Sequence, residues 1–319
     1  MLLTDFPFDE VAGWLADGKI VPFLGAGASL AGYTGSRQLP SGAGLAKELI
    51  DRMKPAYPGQ PTDSLTRVAE YYEQTVFDRS ALFDYLHKRF HEELVSAPLG
   101  KVAQMLAAIP NLDGKPRFIV TTNYDSFIEH AFRQAGRPLC VITQNMRDPE
   151  HGASQVTLKL PDGSVDQDDA LMFQWHDDTR FPPGTTYLFK MHGSAEQRTG
   201  QNADGLIITE SDYVDFLVNA GGPVSPLFPP VSLLAAFSRR RFLFLGYSLE
   251  DWNFRAFLRL LALRKAVSKQ GQLRHWAIQL SPNNLDVQLW GKRNVNVYDA
   301  DLVQFCDQLE AVWAPGRAP

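Results

Sequence analysis

Cysteine is nearly missing from this chain: its 319 residues include two, Cys140 and Cys306, far apart and outside any C-x-x-C spacing. That excludes a disulfide framework and a structural zinc module built from cysteines, and it suits a reducing cytoplasm, the compartment expected here. Surplus positive charge is lacking too. A formal net charge of −5 leaves no excess of Lys and Arg to neutralise a phosphate backbone, so direct nucleic-acid binding is not expected. The compact basic run Arg239-Arg240-Arg241 abuts an apolar stretch and reads as a solvated helix end. Leu2 and Leu3 are followed at once by Asp5, Asp9 and Glu10 with no basic segment, so neither a leader nor an anchor is expected. No apolar run approaches the roughly 20 residues that span a bilayer, and no membrane association is expected. Repeats at a fixed period are absent, which removes solenoids and propellers.

What is present is enough apolar residue, 45% of the chain, to bury the core of one large domain over residues 1–319. Val11, Trp14 and Leu15 recur at helical spacing and predict a helix over 9–18, closed by Gly18. The run Ile20-Val21-Pro22-Phe23-Leu24 then predicts a buried strand. Residues 31–44, rich in glycine, read as a flexible flap, with Ser41 as N-cap of a helix that carries Leu45, Leu49 and Ile50. Three prolines over 55–61 end that helix, and from 64 to 109 the spacing is helical throughout. We read a helical insertion at about 55–110, its aromatic residues Tyr71, Tyr72, Phe77 and Phe83 serving as core. Further strands are predicted at 117–122, 139–143, 187–191, 206–209, 242–245, 275–280 and 295–298. Helices are expected at 126–134, 210–217, 231–237, 251–267 and at the end through 309. A polar insertion at about 144–185 reads as a hairpin and a mobile loop, with Asp162, Asp166, Asp168 and Asp169 as solvated surface. Strand, polar turn and helix in alternation define an α/β class: a doubly wound, mostly parallel, Rossmann-like sheet with a helical insertion.

Four of the strands run into turns of Gly, Ser, Asn, Asp or His: residues 25–29, 123–125, 192–194 and 246–248. In an open parallel sheet such turns share one edge, where ligands bind. Gly25 and Gly27 offer no side chain, so their amides can approach a pyrophosphate, while Ser29 adds a hydroxyl and a following helix adds its dipole. The dinucleotide fingerprint is incomplete, since Leu30 stands where its third glycine belongs. Taken singly, Asn123 also fits an Asx turn ahead of the next helix, and His192 a satisfied histidine at a strand end.

In order, G-A-G-x-S, T-x-N-x-D, H-G and G-x-S resemble the sirtuin fold family over nearly the whole chain. Thr121-Thr122-Asn123-Tyr124-Asp125, Lys190-Met191-His192-Gly193-Ser194 and Gly246-Tyr247-Ser248-Leu249-Glu250-Asp251 are most similar to the prokaryotic sirtuin-like domains of anti-phage defence, which hydrolyse NAD. The resemblance implies catalytic roles for Asn123 and His192. It implies NAD contacts at Gly25, Ala26, Gly27, Ser29, Thr122, Asp125, Gly246, Tyr247 and Ser248, and in a looser match at Asp299. Cleaving the nicotinamide–ribose bond passes through an oxocarbenium-like centre, so a site must hold the leaving group, orient a water and manage a proton. The Asn123 amide suits a ribose hydroxyl or a water, and an imidazole with an unperturbed pKa of ~6.5 suits the proton. Asp125 matches a residue that accepts from the nicotinamide carboxamide.

One departure from the family is informative. Deacetylase sirtuins usually carry a four-cysteine zinc module between the H-G and G-x-S turns, whereas residues 193–245 contain no cysteine. The expected activity is therefore NAD glycohydrolysis to nicotinamide and ADP-ribose without a metal, in an NAD-depleting effector. NAD-dependent deacylation, ADP-ribosyl transfer, or sensing of NAD or ADP-ribose without turnover are the alternatives. By resemblance the chain is also expected to form a homo-oligomer and to answer to a partner such as a HerA-type ATPase or a short Argonaute.

Overall fold

A computed structural model describes residues 1–36, 38–94, 96–111, 113–144, 155–169, 173–175, 180–196, 205–221, 229–247, 257–258 and 273–313. In chain order the elements are α1 (Phe8–Ala16), β1 (Ile20–Leu24), α2 (Ala26–Leu30), α3 (Gly42–Arg52), α4 (Leu65–Tyr71), α5 (Arg79–Phe90) and α6 (Lys101–Ala108). There follow β2 (Arg117–Thr121), α7 (Phe127–Gln134), β3 (Leu139–Gln144), β4 (Gln155–Lys159), β5 (Val165–Asp169), β6 (Thr186–Lys190), α8 (Glu210–Gly221) and α9 (Val231–Ser238). The chain continues through β7 (Arg241–Leu245), β8 (His275–Gln279), α10 (Asn284–Gly291), β9 (Val295–Asp299) and α11 (Leu302–Trp313).

The strands form one sheet in the order β5-β4-β3-β6-β2-β1-β7-β8-β9. All pairings are parallel except those of the β4–β5 hairpin, which extends one edge beyond β3. Strands covered on both faces must be apolar at every position, which is why they read as continuous hydrophobic runs. Alternate residues then serve opposite cores: in β7, Leu243 and Leu245 join one apolar cluster while Phe242 and Phe244 join the other. The first cluster gathers α1 to α7 and α11, and the second gathers α9, Phe216 of α8 and Trp290 of α10. This is the doubly wound α/β architecture expected. From β1 the chain steps first to β2 on one side and later to β7 on the other, so the order reverses at β1.

Several local expectations hold for stated reasons. Ser41 accepts from the Gly44 amide as the expected N-cap of α3, and Ser64, where the helical spacing is expected to begin, caps α4 through the Arg67 amide. Residues 65–108 are largely helical, packed on the sheet through Val68, Leu82, Leu86, Met105 and others. The β4–β5 hairpin is present, and Arg180 pairs with Asp166 and Asp168 on its outer strand.

Other expectations need correction. Residues 206–209 are not a strand: Ile207 donates to the His192 carbonyl and Asp212 accepts from the Ile208 and Thr209 amides, so the segment is an extended strap. The α10 helix has no counterpart among the predicted elements, because among its residues Trp290 alone is fully buried. Arg240 and Arg241 are not a solvated end. Arg240 donates to Gly18 O and Ala236 O and lies over the Phe118 ring, while Arg241 lies over Trp14. Within residues 31–44, described apart from residue 37, the expected flap is tied to the fold at several points: Lys101 N bonds Ala31 O, Tyr33 stacks on Phe127, Arg89 bonds Gln38 O and Leu39 is core. The helix expected over 251–267 lies outside the described residues apart from Phe257 and Leu258.

Candidate active site

The carboxyl ends of β1, β2 and β6 open into a cleft. Its polar wall carries Ser29, Thr122, Asn123, Asp125 and His192. Its apolar wall comes from the helical layer through Leu39, Leu45, Leu65 and Phe90, with Tyr213 of α8 beside His192 at a ring separation of 5.6 Å.

The polar groups are ordered by a directed chain of hydrogen bonds. Asn123 Nδ2 donates to Gly25 O at 2.9 Å, and since a carbonyl only accepts, this bond fixes which end of the amide is nitrogen. The second Nδ2 hydrogen goes to Ser29 Oγ, also at 2.9 Å. Ser29 in turn donates its one proton to Asp125 Oδ2 at 2.7 Å, and Asp125 Oδ1 accepts from Phe127 N at the start of α7. Every side-chain donor of this trio is thereby committed inside the protein. Towards the cleft, Asn123 has only its Oδ1, Ser29 a lone pair, and Asp125 its carboxylate, so the trio presents acceptors.

That result alters the expected role of Ser29, whose hydroxyl proton is held by Asp125 and is not spare for a phosphate. The glycine turn differs as well. Gly25 N bonds Leu245 O at 3.1 Å and Gly27 N bonds Gly246 O at 2.9 Å, so these two amides serve the β7 turn and not a pyrophosphate. A Cβ on Gly27 would sit 2.8 Å from Gly246 Cα, and one on Gly246, which has φ +60°, would overlap the backbone of Gly27 and Ala28. The glycines are required because two turns pack backbone to backbone. Ala26 is exposed and lines the cleft. Thr122 lines it too, with its amide on Leu24 O.

Tyr247 is buried, its ring 5.0 Å from that of Phe23 on the second core. Ser248 lies outside the described residues. Asp299 ends the edge strand β9, exposed, and its carboxylate accepts from Ser281 N at 2.8 Å; it is not among the cleft residues. The structure thus gathers Ser29, Thr122, Asn123, Asp125 and His192, with Ala26, in one cleft and places Gly25, Gly27 and Gly246 in the seam beside it. Tyr213, Leu45, Leu65 and Phe90 escaped sequence reading as site residues because they lie on helices whose spacing says only that one face is buried, and Leu39 because it lies in the loop before α3.

In a doubly wound sheet, a polar cleft at the point of strand reversal is where ligands bind. The family model described as SIR2-like domain matches residues 117–298, more than half of the chain, and the protein belongs to that family. No curated protein matches the chain. Members of the SIR2-like family are NAD-dependent enzymes. Among the described residues, no group of His, Cys, Asp and Glu is arranged to hold a metal ion, and no helix is long and apolar enough to cross a membrane.

Proposed function

We propose that the protein is an NAD glycohydrolase that releases nicotinamide and ADP-ribose. The acceptor-only face made by Asn123, Ser29 and Asp125 carries this reading. The nicotinamide end of NAD is cationic and bears donors, in its ribose hydroxyls and carboxamide NH₂, so its chemistry fits that face. The C1′–N bond breaks with its electron pair leaving on nicotinamide, water supplies the new C1′–O bond, and one proton is released. Asn123 Oδ1 orients a ribose hydroxyl or the water, Asp125 offers negative charge beside the carbon that loses electrons, and His192 takes the proton. Leu39, Leu45, Leu65 and Phe90 exclude bulk water from the opposite side.

A chain with two cysteines, both buried and apart, has no means of building the four-cysteine module beside which deacetylases bind acetyl-peptide. The test is to incubate pure protein with NAD, alone and with an acetylated peptide, and to identify products by chromatography. Equal amounts of nicotinamide and ADP-ribose without peptide are expected. Turnover that needs peptide would overturn the proposal in favour of deacylation, and binding without turnover would make the protein a sensor. By the same resemblance we propose control through self-assembly or a partner chain in an NAD-depleting defence, read as activity that tracks light scattering through a dilution series.

A further inference from the structure

Lys190, the last residue of β6, is fully buried, and all three of its ammonium hydrogens have partners at one place. Nζ lies 2.6 Å from Asp125 O, 3.4 Å from Tyr124 O and 2.9 Å from Glu129 Oε1 on α7. A lysine so placed has given up its hydration, and the three acceptors are what replace it. Two of the three are backbone carbonyls of the turn that carries Asn123 and Asp125. Two residues further along the chain stands His192. The lysine therefore ties the turn bearing the acceptors to the strand end bearing the imidazole, from beneath the cleft and without lining it.

Further bonds brace the same two turns. Ala195 N donates to Tyr124 O at 3.2 Å, the Tyr124 hydroxyl donates to Ile207 O at 2.6 Å, and Ile207 N donates to His192 O at 3.2 Å. The strap at 206–209 is thus the upper tie between the turns, and Lys190 is the lower one. Of these, Lys190 alone reaches the Asp125 carbonyl, next to the carboxylate that receives the Ser29 proton.

We propose that Lys190, with Glu129 as its counter-ion, is a positioning residue that sets the distance between the Asn123–Ser29–Asp125 chain and His192; this rests on the NAD-cleaving reading above. Misplacing reacting groups by about 1 Å costs on the order of a hundredfold in rate. The loss falls on kcat, because the spacing matters where water and proton move, while the apolar wall that holds the substrate is untouched.

The test replaces both charges together, Lys190→Met with Glu129→Leu, so that neither is left unpaired in the core. A second double variant, Lys190→Gln with Glu129→Gln, keeps polar partners for each other but is too short to reach the carbonyls. Three quantities are read on the full chain: kcat and KM for NAD, the melting temperature, and the exchange rate of the Asn123 side-chain amide protons by NMR, which needs no substrate. In whichever variant is folded we expect kcat at least about tenfold lower, KM within about threefold, and Asn123 amide exchange at least about tenfold faster. A folded variant with unchanged kcat and unchanged Asn123 exchange would overturn the inference, as would a loss confined to KM. If the unaltered protein does not consume NAD, the proposed function fails alone, and Asn123 exchange still decides the role of Lys190. Failure of both double variants to fold would also overturn it, since it would make the pair a requirement of folding.

Discussion

The end of β1 meets a neighbour on each side, and it meets them by different means. Towards β7 the contact is backbone on backbone: Gly25 and Gly27 press against Gly246, and amides pass to carbonyls with no side chain between. Towards β2 the contact is made by side chains: Ser29 and the Gly25 carbonyl receive Asn123, and Asp125 receives Ser29. Both seams come from strands ending in small or polar residues. The first seam holds the sheet edge together, and the second arranges charge. Residues of one kind can thus serve architecture on one side of a strand and chemistry on the other.

The largest effect we expect is from breaking the first seam. Gly246→Val forces a β-branched side chain into a positive φ and into the Gly27–Ala28 backbone, and should cost more than about 4 kcal/mol. Urea unfolding would read it, and a variant as stable as the parent would mean that the seam opens without penalty.

Breaking the second seam should spare the fold and stop the chemistry. Asn123→Ala removes two donated bonds, worth about 1–2 kcal/mol, but should lower NAD turnover at least about a hundredfold. His192→Ala should do the same to turnover, with some added loss of stability because His192 is buried. Parallel assays of melting and nicotinamide release would separate the two seams. They would merge if Asn123→Ala proved as destabilising as Gly246→Val.

A smaller effect concerns acid. Burial holds the His91 and His130 imidazoles below their usual pKa, and both feel the charges of Glu196 and Lys159, with His87 adding to His91 and Arg133 and Glu129 to His130. With the folded pKa below the unfolded value of about 6.5, the unfolded chain binds protons first, so stability present above pH ~6.5 is lost as pH falls through the folded values. The melting temperature should therefore decline from pH 7.5 to 5.5, and less steeply in a His91→Gln/His130→Gln variant. An identical slope in that variant would place the acid sensitivity elsewhere.

The smallest effect bears on how far the ligand reaches along the sheet edge. If the adenine end extends to β9, Asp299→Ala should raise KM for NAD a few-fold and leave kcat alone. No change in either would confine recognition to the β1, β2 and β6 ends.

Much of this was legible before any coordinates. Strands buried on both faces announce themselves as unbroken apolar runs, so β1, β2, β3, β6, β7, β8 and β9 fell near their predicted places. Ser41 is a local signal, since an N-cap bonds within three residues of itself. What failed to show depends on distant partners. Leu206-Ile207-Ile208-Thr209 has strand composition, but a strap with one bond to His192 O looks the same in sequence. The direction of the Asn123, Ser29 and Asp125 bonds needs residues about 95 apart to be brought within 3 Å. Lys190 did leave a trace, a charge at the end of the apolar run Tyr187-Leu188-Phe189, which asks for a buried counter-ion that only folding supplies.

One consequence follows from where the helical layer is attached. It leaves the sheet after β1 and returns at β2, and these strands are neighbours, so the layer is a closed excursion whose two ends are fixed side by side. Leu39, Leu45, Leu65 and Phe90 come from the part of that excursion beyond α2, while Ser29 stands on α2 directly after β1, and Asn123, Asp125 and His192 follow β2 and β6. Natural variation, or a protein engineer, can therefore exchange the wall against which a molecule rests without rewriting the groups that act on it. Under the function proposed, selectivity and reactivity would be inherited on largely separate stretches of the chain.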